Sequence, residues 1–286
     1  MSETNANPSG ALPRVAMLGA GSMGGAILAG LRAPGVRIDG PIAVTTRSTA
    51  SAEAYAGAAD VVAYANEADP DANRKAVRGA GVVILAVKPW AIQDLLREVA
   101  DDLAPGAIVV SVAAGIATRS LEALTPAGVA VVRAMPNTPS LVGRGVTGLA
   151  GGGSAGPAVV DTVRRVFETV GRVLVIDEDR MDALGAVSGS GPAYLFFFVE
   201  QLTDAARRLG FSDAEARLMA EGTVTGAAEL LARSGEDPAE LRRRVTSPNG
   251  TTERAIGVLQ GADFAETFDR ALAAAIARSE ELAAGA

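Results

Sequence analysis

Three glycines near the start of the chain have the spacing of a phosphate-binding turn. Gly19, Gly21 and Gly24 form a Gly-x-Gly-x-x-Gly motif that follows an apolar run and precedes a helix-like segment. In this setting the first glycine permits a tight turn, the second leaves room for a pyrophosphate, and the third lets helix and strand pack closely. The motif therefore predicts a dinucleotide site; the alternative is a structural glycine turn in a chain with 33 glycines. The predicted contacts are Gly19, Gly21, Ser22, Met23 and Gly24.

The second predicted strand indicates which dinucleotide is bound. NAD-binding folds usually place an acidic residue at the end of this strand, where it holds the ribose 2′-OH. Here the strand ends in Thr45-Thr46-Arg47-Ser48, and the nearby acid Asp39 precedes the strand. Because a guanidinium group with neighbouring hydroxyls suits a 2′-phosphate, we predict that Arg47 and Ser48 bind it. NADP(H) is then preferred and NAD(H) is possible; the alternative is that Arg47 is a solvated surface charge.

Another apolar run, Val82–Val87, leads directly into Lys88-Pro89. In open α/β sheets, ligands lie beyond the carboxyl ends of the strands. Lys88 is therefore predicted to lie beside the cofactor, although a surface lysine after a strand has the same pattern.

The residue types that the chain lacks narrow the possible chemistry. The sequence has no Cys and no His, which excludes disulfides, thiolate nucleophiles and the commonest general acid–base group and metal ligand. No metal site is predicted. The two lysines, Lys75 and Lys88, both lie in the first half of the chain. The second half of the chain therefore has neither a lysine nor a histidine that could protonate an alkoxide. An imine is basic and can bind already protonated, so its reduction needs no such group.

Two loops in the second half could bind an anion. Val187–Tyr194 and Val245–Thr252 carry hydroxyl groups and glycines, and each precedes a predicted helix. Hydroxyls and free N–H groups at a helix start suit a carboxylate. The alternative is that both are ordinary N-caps, where Ser and Thr are favoured in any case.

The composition describes a globular protein with ample core. The chain has 286 residues, of which 49% are hydrophobic, and a net charge of −7. This acidity argues against nucleic acid or an anionic membrane surface as a partner. No apolar run approaches the roughly 18 residues of a membrane span, and the first residues lack the features of a signal peptide. We therefore expect a cytoplasmic protein.

The predicted secondary structure, which must position these residues, changes from alternating strands and helices to helices alone. Alternating β-rich and helix-like runs in the first half predict an α/β fold, with an N-terminal Rossmann-type doubly wound sheet and helices on both faces. After Asp177 almost no β-rich run remains, which predicts an all-α C-terminal domain. We predict a disordered leader at 1–12, a nucleotide-binding domain at 13–177 and a helical domain at 178–286. The predicted strands are Val15–Leu18, Ile42–Thr45, Val61–Ala63, Val82–Val87, Ala107–Val112, Val129–Arg133 and Val173–Ile176. The predicted helices of the second half are Ala193–Leu209, Asp213–Arg233, Pro238–Val245, Thr252–Leu259 and Phe264–Leu282.

With these features the chain resembles the pyrroline-5-carboxylate reductase family over nearly its whole length after the leader. The resemblance implies NAD(P)H-dependent reduction of the cyclic imine 1-pyrroline-5-carboxylate to L-proline, the last step of proline synthesis. The motifs that carry it, in order, are Gly19–Gly24, Ala86–Pro89, Met135–Pro139, Ser188–Tyr194 and Thr246–Thr252.

The resemblance also implies roles for individual residues. Thr252 would be catalytic, with its hydroxyl near the imine nitrogen, while Ser247 and the adjoining backbone would hold the substrate carboxylate. The implied substrate contacts are Asn137, Ser247, Gly250, Thr251 and Thr252. The implied cofactor contacts beyond the glycine motif are Asn73, Ala86, Val87, Lys88 and Pro89.

The resemblance further implies that the helical domains pair in an interlocked homodimer, often assembled into a decamer. The active site would then take its cofactor from one subunit and part of its substrate pocket from the other.

Two residues depart from the family pattern. Asn249 stands where the family usually has the first glycine of Ser-Pro-Gly-Gly, and Ser22 stands where it commonly has asparagine. Asn is among the few residues that tolerate a left-handed backbone, so we expect the turn to survive.

Two other functions remain open. One is a β-hydroxyacid dehydrogenase or ketopantoate-type reductase, which the missing lysine of the helical domain argues against. The other is a catalytically silent NADP-binding sensor module, which the intact Thr246–Thr252 loop argues against.

Overall fold

The computed structural model describes residues 10–284, with side chains described as far as Glu281. Eight strands form one sheet: β1 Val15–Leu18, β2 Ile42–Thr46, β3 Val61–Ala65, β4 Val82–Leu85, β5 Ile108–Ser111, β6 Ala130–Met135, β7 Gly145–Gly151 and β8 Gly171–Val175. Their order across the sheet is β3-β2-β1-β4-β5-β6-β7-β8. Strands β1 to β6 are parallel, whereas β7 runs antiparallel to β6 and parallel to β8. The predicted doubly wound sheet is confirmed.

Helices alternate with these strands and then continue alone. They are α1 Ser22–Leu31, α2 Thr49–Glu53, α3 Ala72–Val77, α4 Pro89–Val99, α5 Thr118–Glu122, α6 Pro157–Glu168, α7 Met181–Leu184, α8 Gly191–Arg208, α9 Asp213–Ser234, α10 Pro238–Arg244, α11 Thr251–Gln260 and α12 Phe264–Ala284. Short 3₁₀ turns lie at Ala100–Asp102, Thr138–Val142 and Glu178–Arg180, and a π-helical turn at Gly185–Gly189. The five helices predicted for the second half are confirmed as α8 to α12. None of the described helices is long and apolar enough to cross a membrane.

The central strands of the sheet, β1, β2, β4 and β5, are buried along their whole length between two layers of helices. Val15 and Met17 of β1 pack with α1 and α6, whereas Ala16 and Leu18 pack on the opposite face with α3, α4 and α5. Successive side chains of a strand point to opposite faces, so a continuous apolar run is required here. The carboxyl ends of the parallel strands are thereby held in one row.

Strand β7 has no counterpart among the predicted strands. Its sequence contains three glycines, which are poor strand formers, so no β-rich pattern marks it. The glycines are explained by tight packing. A Cβ on Gly145 would lie 2.2 Å from Ser140 Oγ, and one on Gly148 would lie 2.7 Å from Leu184 Cδ1.

The predicted leader lies largely outside the described residues. Of its final part, Leu12 is buried and forms a parallel bridge with Ile38. The folded region therefore includes Leu12, although the sequence predicted that it starts at residue 13.

The chain divides into two compact units by its own contacts. The first unit combines the chain up to Gly189 with the C-terminal segment that begins at Ile276. The second unit is Ser190–Ala275. The division thus falls after the boundary predicted at 177. The segment 178–189 stays with the sheet because it is tied to β6.

A buried arginine makes that connection. The Arg133 side chain is 7% exposed and lies 3.7 Å from Glu178 and 3.3 Å from Asp182. The Glu178 carboxylate also accepts hydrogen bonds from the backbone N–H and the hydroxyl of Thr118. Asp182 in turn accepts a hydrogen bond from Ser279 at the end of α12. The Arg133 guanidinium therefore pairs with two carboxylates. One of them, Glu178, is bonded to Thr118, and the other, Asp182, is bonded to Ser279.

We expect Arg133→Met to lower the free energy of unfolding by about 2–3 kcal/mol, because both carboxylates lose a buried partner. The matched control is Arg97→Met, whose partner Asp94 is 84% exposed, and it should cost less than about 1 kcal/mol. Urea unfolding at one fixed protein concentration measures both. Equal effects of the two substitutions would contradict this account of the Arg133 network.

Candidate active site

The predicted cofactor residues, apart from Asn73 on α3, directly follow three neighbouring strands, β1, β2 and β4. Strand β1 lies between β2 and β4, which makes this the point where the strand order reverses direction. The Gly19 N–H donates to Thr45 O at 3.2 Å, and the Ala86 N–H donates to Leu18 O at 2.9 Å. Nucleotides bind at such a switch point in open α/β sheets. The structure therefore brings the glycine motif, Arg47 and Lys88 to one edge.

The three motif glycines have different roles in the geometry. Gly19 has a φ of +99°, and a Cβ there would lie 2.8 Å from Ala86 O. A Cβ on Gly24 would lie 2.1 Å from Gly19 O, so both positions are fixed by packing. Gly21 differs, because no heavy atom lies within 4 Å of its added Cβ. The second glycine is therefore open, as a position approached by a phosphate requires.

The start of α1 is equally suited to a phosphate. Gly21 is the N-cap and provides no side-chain hydrogen bond, and the first turn contains no acidic residue. Ser22 is exposed, while Met23 packs partly against the core. The first N–H groups of a helix have no intrahelical acceptor, so they and the helix dipole favour an anion here.

The turn after β2 presents a cation. Arg47 is exposed, and no hydrogen bond or ion pair of its guanidinium is found in the described part of the chain. The turn itself is ordered, because the Thr46 hydroxyl donates to Ser48 O at 2.9 Å. Ser48 is the N-cap of α2, and its hydroxyl accepts the Ser51 N–H. Arg47 is thus available to a ligand, and the strand end carries no acid.

The turn after β4 adds the second cation. Lys88 is exposed at the N-cap position of α4, with Pro89 as the first helical residue. Ala86 and Val87 are half-buried, and a Cβ on Gly19 would approach Val87 Cγ1 to 3.1 Å. These residues form the wall against which the glycine turn packs.

Two asparagines hold the fold in this structure. Asn73 is 8% exposed on α3, and its Nδ2 lies 3.1 and 3.3 Å from the carboxylate oxygens of Glu98 on α4. Asn137 is 7% exposed, and its Nδ2 donates to Ser188 O at 2.9 Å while its Oδ1 accepts the Val146 N–H at 2.8 Å. These contacts give Asn73 and Asn137 positioning roles; their predicted contacts with cofactor and substrate stay predictions.

The second unit contains the loop predicted to bind the substrate. Asn249 has a φ of +59°, which confirms the left-handed conformation expected of an asparagine at this place. The Gly250 N–H donates to Ser247 O at 3.0 Å, and a Cβ on Gly250 would lie 2.9 Å from that oxygen. The Asn249 N–H donates to Glu253 Oε2 at 2.8 Å. The turn is therefore tight and tied to the first turn of α11.

This turn leaves some donors open and uses another. Gly250 is the N-cap of α11, and Thr251 and Thr252 are the first helical residues. No side chain caps this end of the helix by a hydrogen bond. Their N–H groups have no intrahelical acceptor. Ser247 is exposed and Thr252 is half-buried. The Gly250 N–H already donates to Ser247 O within the turn, and the substrate contacts predicted for Ser247, Gly250, Thr251 and Thr252 stay predictions.

Two carboxylates that organise these turns, Glu67 and Glu253, were not among the predicted site residues. Glu253 follows Asn249 by four positions, and an acid at this point of a first helical turn is a recognisable capping signal. Glu67 accepts the Thr49 N–H beside Arg47, but it comes from the loop after β3 and no local pattern marks it. Within the described residues, no group of three or more His, Cys, Asp or Glu side chains could hold a metal ion.

Comparisons with known proteins match both halves of the chain. The family profile described as pyrroline-5-carboxylate reductase dimerisation matches residues 178–282, and the one described as NADP oxidoreductase, coenzyme F420-dependent, matches residues 14–115. The chain is 42% identical to a pyrroline-5-carboxylate reductase of Pseudomonas aeruginosa, over 95% of this chain and 97% of that protein. It is 33% identical to that of Escherichia coli, over 94% and 98% of the two chains.

Solved structures agree with these matches. A pyrroline-5-carboxylate reductase from Coxiella burnetii superposes with a TM-score of 0.86 at 37% identity, covering 95% of this chain and 98% of that one. A pyrroline carboxylate reductase from Plasmodium falciparum, with NADP bound, gives a TM-score of 0.77 at 25% identity, covering 94% and 98%.

The left-handed Asn249 can be tested directly. We expect Asn249→Val to lower the free energy of unfolding by about 1–2 kcal/mol, because a β-branched residue is strained at positive φ. Asn249→Gly should leave stability unchanged or slightly raised, since glycine adopts this conformation freely. Thermal unfolding of both variants at equal concentration gives the comparison. A Val variant as stable as the Gly variant would show that this backbone is not constrained.

Proposed function

Because the chain belongs to the pyrroline-5-carboxylate reductase family, we propose that it reduces 1-pyrroline-5-carboxylate to L-proline with NADPH. The observation that carries the proposal is the Ser247–Thr252 turn. It leaves a hydroxyl and two backbone N–H groups open to a carboxylate, in a chain whose first unit carries a nucleotide-binding edge. A carboxylated imine meets these donors without requiring His or a lysine from the helical domain.

The first unit is proposed to hold the cofactor. When bound, NADPH supplies the hydride that adds to the imine carbon. The open Gly21 position and the uncapped start of α1 would receive the pyrophosphate, while Arg47 and Ser48 would hold the 2′-phosphate. Lys88 would add a second positive charge from the turn after β4. The absence of an acid at the end of β2 supports NADPH over NADH.

The second unit is proposed to hold the substrate. The Ser247 hydroxyl and the N–H groups of Thr251 and Thr252 would donate hydrogen bonds to the carboxylate, with the α11 dipole favouring its charge. The Thr252 hydroxyl would orient the imine nitrogen. Because the nitrogen arrives protonated, the product amine needs no further proton from a side chain. Catalysis would then come mainly from positioning the two reactants.

Two further properties are part of the proposal. The match to a dimerisation family supports self-association. We propose an interlocked homodimer in which the helical domains pair, with a decamer as the larger assembly. We also propose that the enzyme works in the cytoplasm. A catalytically silent NADP-binding sensor is the alternative function, and it predicts cofactor binding without turnover.

The first test is turnover itself, with Thr252→Ala as the variant. The wild type should oxidise NADPH with 1-pyrroline-5-carboxylate and release proline. We expect Thr252→Ala to lower kcat by about 10- to 1,000-fold, because one positioned hydrogen bond is lost. Thr252→Ser keeps the hydroxyl and should retain most activity. Thr251→Ala is a second control, since only its backbone N–H is proposed to act.

The outcomes separate the parts of this proposal. Folded protein that binds NADPH but produces no proline would favour the sensor. An unchanged kcat for Thr252→Ala would remove Thr252 from the catalytic step.

Arg47 provides the test of cofactor preference. We expect Arg47→Ala to lower the ratio of kcat/KM with NADPH to kcat/KM with NADH by about 10-fold or more, because a charge-assisted contact with the 2′-phosphate is lost. Arg97→Ala, on the exposed face of α4, should leave the ratio unchanged. A ratio that Arg47→Ala does not alter would place the 2′-phosphate elsewhere.

A further inference from the structure

Glu67 lies against the turn that carries Arg47. It belongs to the loop between β3 and α3, and its backbone N–H donates to Arg47 O at 3.1 Å. Its carboxylate Oε1 accepts the Thr49 N–H at 2.6 Å. One residue before it, the Asn66 N–H donates to Thr46 O at 2.9 Å. The loop after β3 is thus joined to both sides of Arg47 and Ser48.

The Glu67 side chain brings a negative charge to this turn. The hydrogen bond from the Thr49 backbone lowers the pKa of the Glu67 carboxyl below its ordinary value, so the group is ionised at neutral pH. The Glu67 carboxylate also occupies the Thr49 N–H, which is then not free to bind a phosphate. The Ser51 N–H is occupied in the same way by the Ser48 hydroxyl. Two backbone donors of the first turn of α2 are therefore already occupied, while the Arg47 guanidinium stays available to a phosphate.

We propose that Glu67 is a specificity-determining residue that limits the preference for NADPH over NADH. Its carboxylate repels the 2′-phosphate that Arg47 attracts, whereas the uncharged 2′-OH of NADH is not repelled by it. The chain therefore uses both cofactors more evenly than Arg47 alone would dictate. This inference rests on the proposed cofactor site at Arg47 and Ser48.

The charge of Glu67 can be removed while its hydrogen bond is kept. Glu67→Gln retains an oxygen that accepts the Thr49 N–H, so the turn should keep its shape. Glu53→Gln is the matched control, because Glu53 is an exposed carboxylate at the far end of α2. Trp90, the one tryptophan of the chain, follows Lys88-Pro89 and is 80% exposed, so we expect its fluorescence to respond to a cofactor bound beside this turn, without turnover.

The experiment is titration of each variant with NADPH and with NADH. We expect Glu67→Gln to tighten NADPH binding by about 3- to 10-fold at low salt, with the Kd for NADH changed by less than about 2-fold. The gain should shrink as salt rises, because the interaction is between exposed charges. Glu53→Gln should change neither Kd.

Other results would overturn the inference. An unchanged ratio of the two Kd values shows that the carboxylate does not reach the 2′-phosphate. Weaker binding of both cofactors shows that Glu67 acts only by shaping the turn. Because the readout is binding, these results are independent of imine reduction: a protein without turnover could still show the Glu67 effect. If Arg47→Ala leaves the Kd ratio unchanged, the proposed 2′-phosphate site fails and the inference fails with it.

Discussion

The close approach of the β1 and β4 backbones at Gly19 is the constraint on which the nucleotide edge depends. No side chain fits at Gly19, because a Cβ there would lie 2.8 Å from Ala86 O. Gly24 packs against Gly19 in turn, so α1 begins directly above the end of β1. The first N–H groups of α1 have no intrahelical acceptor, and the Gly21 position beside them is open. These three glycines form the proposed pyrophosphate site at the end of a buried strand.

The proposed anion sites share one physical basis. Both α1 and α11 begin at a glycine N-cap that provides no side-chain hydrogen bond, so backbone donors stay open. Carboxylates of the chain itself occupy donors nearby, Glu67 beside Arg47 and Glu253 at Asn249. These glutamates shape the two turns. In our proposal, the cofactor selectivity depends on the balance between the charges of Glu67 and Arg47.

Much of this architecture could be predicted from the sequence, because local patterns encode it. The glycine motif, the apolar strands and the helices α8 to α12 each have a period or a cap signal. Strand β7 was not predicted, because its glycines are required by tertiary packing and do not form a β-rich pattern in the sequence. The amide contacts of Asn73 and Asn137 join residues 25 and 51 positions apart in the chain. No local pattern reports such pairs, and the same holds for Glu67.

In the proposed reaction, hydride passes from the cofactor to the imine carbon of 1-pyrroline-5-carboxylate. Turnover of this imine with NADPH deuterated at the reactive C4 position, followed by mass and NMR analysis of the product, tests the transfer itself. We expect proline that carries one deuterium at C5. Proline without deuterium, or oxidation of the cofactor without proline, would contradict it.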